Sequence, residues 1–168
     1  WGGLSPAEFA RVWVREGHRI FDRLARLSKP TIAVLEGFAF GGGLELAAAC
    51  DIRVMSPRSQ IAMPETGVGV VPGWSGTQRL ARLLPEPVLK EMALFGRHLS
   101  AQRALTLGFV ADVADDPCAL AVEIAEARPS RHSAVSSSGV ARSTTWLEMP
   151  AFAAASASVM PTRPPPRM

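Results

Sequence analysis

The chain has 168 residues, of which 48% are hydrophobic and 20% charged, with a formal net charge of +3. That is one domain's worth of sequence with enough apolar material for a core, and no apolar run approaches the roughly 20 residues needed to span a bilayer. The positive balance is local: residues 1–126 carry 13 Lys and Arg against 14 Asp and Glu, whereas residues 127–168 carry five Arg against one Glu. Neither a nucleic-acid surface nor membrane association is therefore expected. The two cysteines, Cys50 and Cys118, form no disulfide framework and have no metal-ligand spacing, so no metal site is expected. No basic segment followed by an apolar one opens the chain, which makes the cytoplasm the expected location.

Ser5-Pro6-Ala7-Glu8 predicts a helix start, with Ser5 as cap, Pro6 in the first turn and Glu8 closing a capping box. Phe9, Trp13, Ile20, Leu24 and Leu27 continue at helical spacing until Pro30, while Arg11, Arg15, Arg19, Arg23 and Arg26 mark a solvated face. Thr31-Ile32-Ala33-Val34-Leu35 predicts a strand covered on both sides, because it is apolar almost throughout. A glycine turn at Gly41-Gly42-Gly43 then leads into a short helix ending near Cys50. Strands are predicted over residues 52–55 and 60–63, and Pro64 stops the second. Residues 66–76 hold four glycines and a proline and read as a loop. Helices are predicted over 77–84, over 87–95 with Gly96 as the C-terminal cap, from Ser100 to Gly108, and from Asp116-Pro117 to about Ala127. Residues 109–113 read as a strand between the last two. His18 and His98 are expected on the surface or at helix ends, without a nucleophile for a partner.

Residues 129–168 contain eight serines and six prolines and keep neither a helical nor an alternating period. They are expected to be poorly ordered, leaving residues 1–128 as the folded core.

The glycine turn is where the chain's chemistry concentrates. Glycines lack Cβ and let backbone approach a ligand closely, and a helix beginning there points unpaired N–H groups outward. Such donors suit a developing oxyanion. Glu45 lies in the first turn of that helix, and Glu65 follows twenty residues later. Taken alone, Glu45 reads as a carboxylate favoured by the helix dipole and Glu65 as a solvated loop acid. Gly67-Val68-Gly69 lacks the third glycine of a dinucleotide fingerprint.

Phe38 to Ala47 with Cys50-Asp51-Ile52, then Pro64-Glu65 with Val71 to Leu80, then Leu99 to Ala104 with Gly108-Phe109-Val110, resemble three successive blocks of the enoyl-CoA hydratase/isomerase (crotonase) family. The resemblance covers roughly residues 5–127. It implies an α/β fold, a spiral of ββα units, assembled as a homotrimer or homohexamer, and an acyl-CoA substrate. It makes the Gly42 N–H an oxyanion donor, Glu45 the base that activates the water and Glu65 the acid that delivers the α-proton. The Gly73 N–H would position water, and Phe40, Gly42 and Pro64 would line the substrate site. No separate cofactor is implied, since coenzyme A is part of the substrate.

The favoured reaction is syn addition of water to a 2-enoyl-CoA, because two glutamates suit a step in which one group takes a proton and another gives one. A double-bond shift within the same family needs only one acid/base, and a non-catalytic piece of the fold is the reading from another class. The resemblance also places a second oxyanion donor and early strands upstream of this chain's first helix. The strand at 31–35 is then expected to have an open edge, which invites self-association.

Overall fold

The computed structural model describes residues 3–127 and the backbone of residues 153–156. β1 (Thr31–Leu35) is buried at all five positions and lies at the centre of the arrangement. Its alternate side chains serve two different cores, as the two-residue period of a strand requires. Ile32 and Val34 pack with Val54 and Ala121, whereas Ala33 and Leu35 join Leu44, Met55, Met63 and Phe109 in the larger core. Leu44 and Phe109 are fully enclosed there; burying a side chain of that size contributes about 1.5–3 kcal/mol.

The elements run in the order α1 (Pro6–Phe9), a π-helical turn (Ala10–Val14), α2 (Arg15–Ala25), β1, β2 (Phe38–Phe40), α3 (Gly42–Ala47), β3 (Ile52–Met55) and β4 (Gln60–Ala62). A 3-10 turn (Glu65–Val68), α4 (Gly76–Leu80), α5 (Glu86–Phe95), β5 (Leu99–Ser100), α6 (Ala101–Thr106), β6 (Asp112–Val113), α7 (Pro117–Glu126) and β7 (Ala153–Ser156) follow. Two sheets result, one ordered β6-β3-β1-β7 and the other β2-β4-β5. The first four strands alternate between the sheets: β1 leads to β2 and α3, then β3 leads to β4. That is the expected spiral of ββα units. All pairs are parallel except β4 with β5.

The capping signals hold. Ser5 and Glu8 form both halves of the capping box, and Asp116 accepts from the Ala119 N–H. Ser100 accepts from the Arg103 N–H, and Gly96 closes α5 at φ 63°.

Four expectations need correction. The first helix is interrupted by a wide π turn between Phe9 and Arg15, where a continuous α-helix was expected. Phe38–Phe40 forms a strand, drawn out by its ladder to β4 although it has only three residues. The strand expected over 109–113 shrinks to Asp112–Val113. The Phe109 carbonyl accepts from the Arg53 side chain, so it is committed outside any ladder.

The fourth correction concerns β1, which is paired on both edges, with β3 on one side and β7 on the other. The second partner, β7, comes from within the region expected to be poorly ordered. Ladder pairing uses the backbone, so an Ala-rich run serves as well as a bulky one. The rest of 129–168 lies outside the described residues. No helix among the described residues is long and apolar enough to cross a membrane.

Candidate active site

The site begins with a register. β2 and β4 pair in parallel with Phe40 opposite Ala62, and the Gly41 N–H continues the ladder by donating to the Ala62 carbonyl at 3.0 Å. This places the turn after β2 beside the turn after β4, so Gly41 and Glu65 meet. A Cβ on Gly41 would stand 2.9 Å from Glu65 Oε1, and the backbone there has φ 51° and ψ −121°, a conformation suited to glycine. α3 starts at the next residue. Among the described residues nothing accepts the Gly42 N–H, as is usual in a helix's first turn.

Glu45 lies one turn into α3, its N–H donating to the Gly41 carbonyl at 2.9 Å. It is only 2% exposed. Its Oε1 accepts the Trp74 N–H at 2.9 Å and the Gly76 N–H at 2.8 Å. Two backbone donors hold that oxygen, while nothing among the described residues donates to Oε2. Glu45 is thus a fixed, buried carboxylate rather than a surface residue near a helix dipole.

Glu65 opens the 3-10 turn, with Pro64 as its N-terminal cap. It is half-buried, and its Oε2 is inaccessible and without a hydrogen-bond partner among the described residues. Burial pushes its carboxyl above the usual carboxylate range, and the charge of Glu45 adds to that effect. One carboxylate is pinned by N–H donors and the other is biased towards its protonated form. An environment that separates two carboxyl groups in this way equips one to take a proton and the other to give one.

The other expected residues fall at varied distances from this pair. Gly73 immediately precedes Trp74, and a Cβ there would meet nothing within 4 Å. The Phe40 ring packs between Phe38 at 5.3 Å and His98 at 4.6 Å. His98 also pairs with Gln60 at 3.1 Å. The structure therefore sets Glu45 and Glu65 by the glycine turn that Gly42 follows, with Pro64 and Gly73 adjoining Glu65 and Trp74 in the chain, while the Phe40 ring turns to Phe38 and His98.

Two supporting residues escaped the sequence reading. Arg53, 7% exposed, donates to the carbonyls of Phe109 and Cys50, both at 2.7 Å, and to Ala47 at 3.4 Å. It thereby satisfies the Cys50 carbonyl and adds a donor to that of Ala47 at the end of α3, whose other end carries the glycine turn. An arginine inside the apolar run 52–55 was the available signal. His18 is the second: its Nδ1 lies 2.5 Å from Ser75 Oγ, not free at a helix end.

The two-sheet α/β spiral sets a glycine turn beside two glutamates, and comparison with known proteins gives the family. Residues 5–148 match the family described as enoyl-CoA hydratase/isomerase, and the chain belongs to that family. It is 42% identical over 99 residues to the short-chain-enoyl-CoA hydratase of Clostridium acetobutylicum, covering 59% of this chain and 38% of that protein. It is 43% identical over 107 residues to the probable mitochondrial enoyl-CoA hydratase 2 of Arabidopsis thaliana, covering 64% of this chain and 35% of the relative. Among solved structures it resembles an enoyl-CoA hydratase from Bacillus anthracis, with TM-score 0.69 and 35% identity over 74% of this chain and 49% of that one. Pseudomonas aeruginosa DspI is similar at TM-score 0.69 and 36% identity, over 72% and 50% of the two chains. The chain thus spans little more than a third of these two curated relatives and about half of the two solved chains.

Proposed function

We propose that the site hydrates 2-enoyl-CoA thioesters. The observation that carries this reading is the unequal pair of carboxyl groups at one glycine turn. Glu45 is anchored through Oε1, and Glu65 is half-buried with its Oε2 inaccessible and unpartnered among the described residues.

Glu45 takes a proton from water through its uncommitted oxygen as the water oxygen bonds to C3 of the enoyl group. The double-bond electrons move towards the thioester, whose oxygen gains negative charge and is met by the Gly42 N–H. Glu65 then gives a proton to C2. Pro64 holds Glu65 at the start of its turn, Gly73 presents its N–H to the water, and Phe40 backs the glycine turn against the acyl group. Coenzyme A enters as part of the substrate, and the chemistry calls on no further group. Assembly as a homotrimer or homohexamer and a cytoplasmic location belong to the same proposal and rest on the family resemblance.

The test uses Glu45→Gln and Glu65→Gln with crotonyl-CoA and with a 3-enoyl-CoA. Each substitution should lower hydration about 10²–10⁴-fold, the usual contribution of a placed acid or base. The double variant should lose less than the product of the two, since the groups act on one water. Hydration by the Glu45→Gln protein within a few-fold of the parent would sink the two-glutamate scheme. Retention of double-bond shifting by that variant, together with its loss in Glu65→Gln, would establish the isomerase reading instead.

A further inference from the structure

The indole of Trp74 occupies a slot made by glycines from two different elements. A Cβ on Gly17 of α2 would fall among its pyrrole atoms, with Trp74 Nε1 and Cδ1 nearest, and a Cβ on Gly42 would stand 2.6 Å from Cζ3. The indole N–H donates to the Trp13 carbonyl at 3.1 Å. The Trp13 and Phe21 rings lie at 4.8 and 5.2 Å from it. Trp13 belongs to the π turn, a distortion that often accompanies functional sites.

Two more ties follow along the same helix: His18 to Ser75, and Asp22 to Arg79 at 2.6 Å. Between them the chain is held in an uncommon conformation, because Ser75 has φ 68° without being glycine. The anchored segment is also the one whose N–H groups, from Trp74 and Gly76, hold Glu45 Oε1.

We propose that Trp74 is a positioning residue for Glu45: its indole, locked between Gly17 and Gly42, fixes the backbone donors that orient the carboxylate. The first helix is on this reading a clamp on the active-site turn. The inference rests on the hydratase reading for its kinetic consequence, but not for its structural one.

Gly17→Ala makes the cleanest test. Alanine is the better helix former, so propensity alone would favour the variant. Its methyl group would instead expel the indole without touching the turn. In the full chain, Gly17→Ala and Trp74→Ala should each reduce amide hydrogen-exchange protection at residues 74 and 76 by about tenfold or more, as expected for a locally opened segment. With crotonyl-CoA, kcat should fall about 10²-fold, the usual cost of a misplaced group, while KM changes by less than about threefold. Trp74→Phe retains ring packing without the indole N–H and should fall between parent and Trp74→Ala.

The double variant Gly17→Ala/Trp74→Ala should be no worse than Trp74→Ala, because the methyl group then has nothing to expel. Ile20→Ala, on the exposed side of the same helix, should behave as the parent. Unchanged exchange at residues 74 and 76 in Gly17→Ala, or multiplying losses in the double variant, would overturn the proposal. If Gly17→Ala does not fold, the decision passes to Trp74→Phe, and parental kcat and exchange there would count against it. Absence of turnover in the parent would remove the hydratase reading and leave the exchange result to decide the positioning role.

Discussion

Gly76 lies against the carboxylate of Glu45. A Cβ at Gly76 would stand 2.4 Å from Glu45 Cγ and 2.6 Å from Oε1, while the Gly76 N–H donates to that oxygen. The close approach and the hydrogen bond are one arrangement, since a Cβ at this position would occupy the space the Glu45 carboxylate fills.

Gly76→Ala should therefore cost both stability and turnover. A methyl group forced into a closed contact costs about 1–3 kcal/mol. On the proposed hydratase mechanism, displacing Glu45 should lower kcat by roughly the 10²–10⁴-fold range of a lost acid or base. Thermal melting together with steady-state kinetics on a 2-enoyl-CoA would check both. An alanine variant with parental kcat would show that Glu45 needs no such constraint.

Arg53 offers a test away from the chemistry. Its guanidinium satisfies carbonyls of Cys50 and Phe109 and sits 5.2 Å from the Phe109 ring centroid. Burial pulls its pKa below the usual arginine value. Arg53→Met fills similar space but leaves those acceptors unpaired, at about 1–3 kcal/mol each. A lower urea midpoint with an unchanged slope is expected, and a midpoint equal to the parent's would contradict this account.

Glu65 should leave a signature in the pH dependence of stability. Its folded carboxyl binds its proton more tightly than in the unfolded chain, because burial and the Glu45 charge disfavour ionisation. The native state then holds the extra proton between the ordinary carboxylate pKa and the raised one. Unfolding free energy from this group therefore falls as pH rises through that window. Glu65→Gln should flatten the decline, seen by urea titrations at stepped pH. A parent whose stability rises there by the same amount as the variant's would refute the assignment.

The two thiols should separate by labelling. Cys50 is buried and its thiol is pushed up by burial, whereas Cys118 is exposed. An alkylating reagent under native conditions should modify Cys118 and spare Cys50, which has little thiolate and little access. Cys50 should react only as the protein opens, at a rate that rises with denaturant. Equal native rates by mass spectrometry would mean the larger core is not closed around α3.

Short-range chemistry was legible in the sequence. The capping box of Ser5 and Glu8, the caps at Ser100 and Asp116, Gly96 at φ 63° and the doubly covered run at 31–35 each follow from residues within a few positions. The placement of Glu45 behind a glycine turn was legible for the same reason.

What a local pattern could not contain is which turn faces which. The three-residue strand β2 and its register with β4 put Glu65 beside Gly41, and a shift of one residue would separate them. The donors to Glu45 come from 29 and 31 positions away, and the hydroxyl that meets His18 from 57. Such contacts form only when the packed sheets and helices offset the entropy of closing the intervening chain. The sequence supplies the carboxylates, the glycines and the indole, and packing at the Gly17–Gly42 slot turns them into one site.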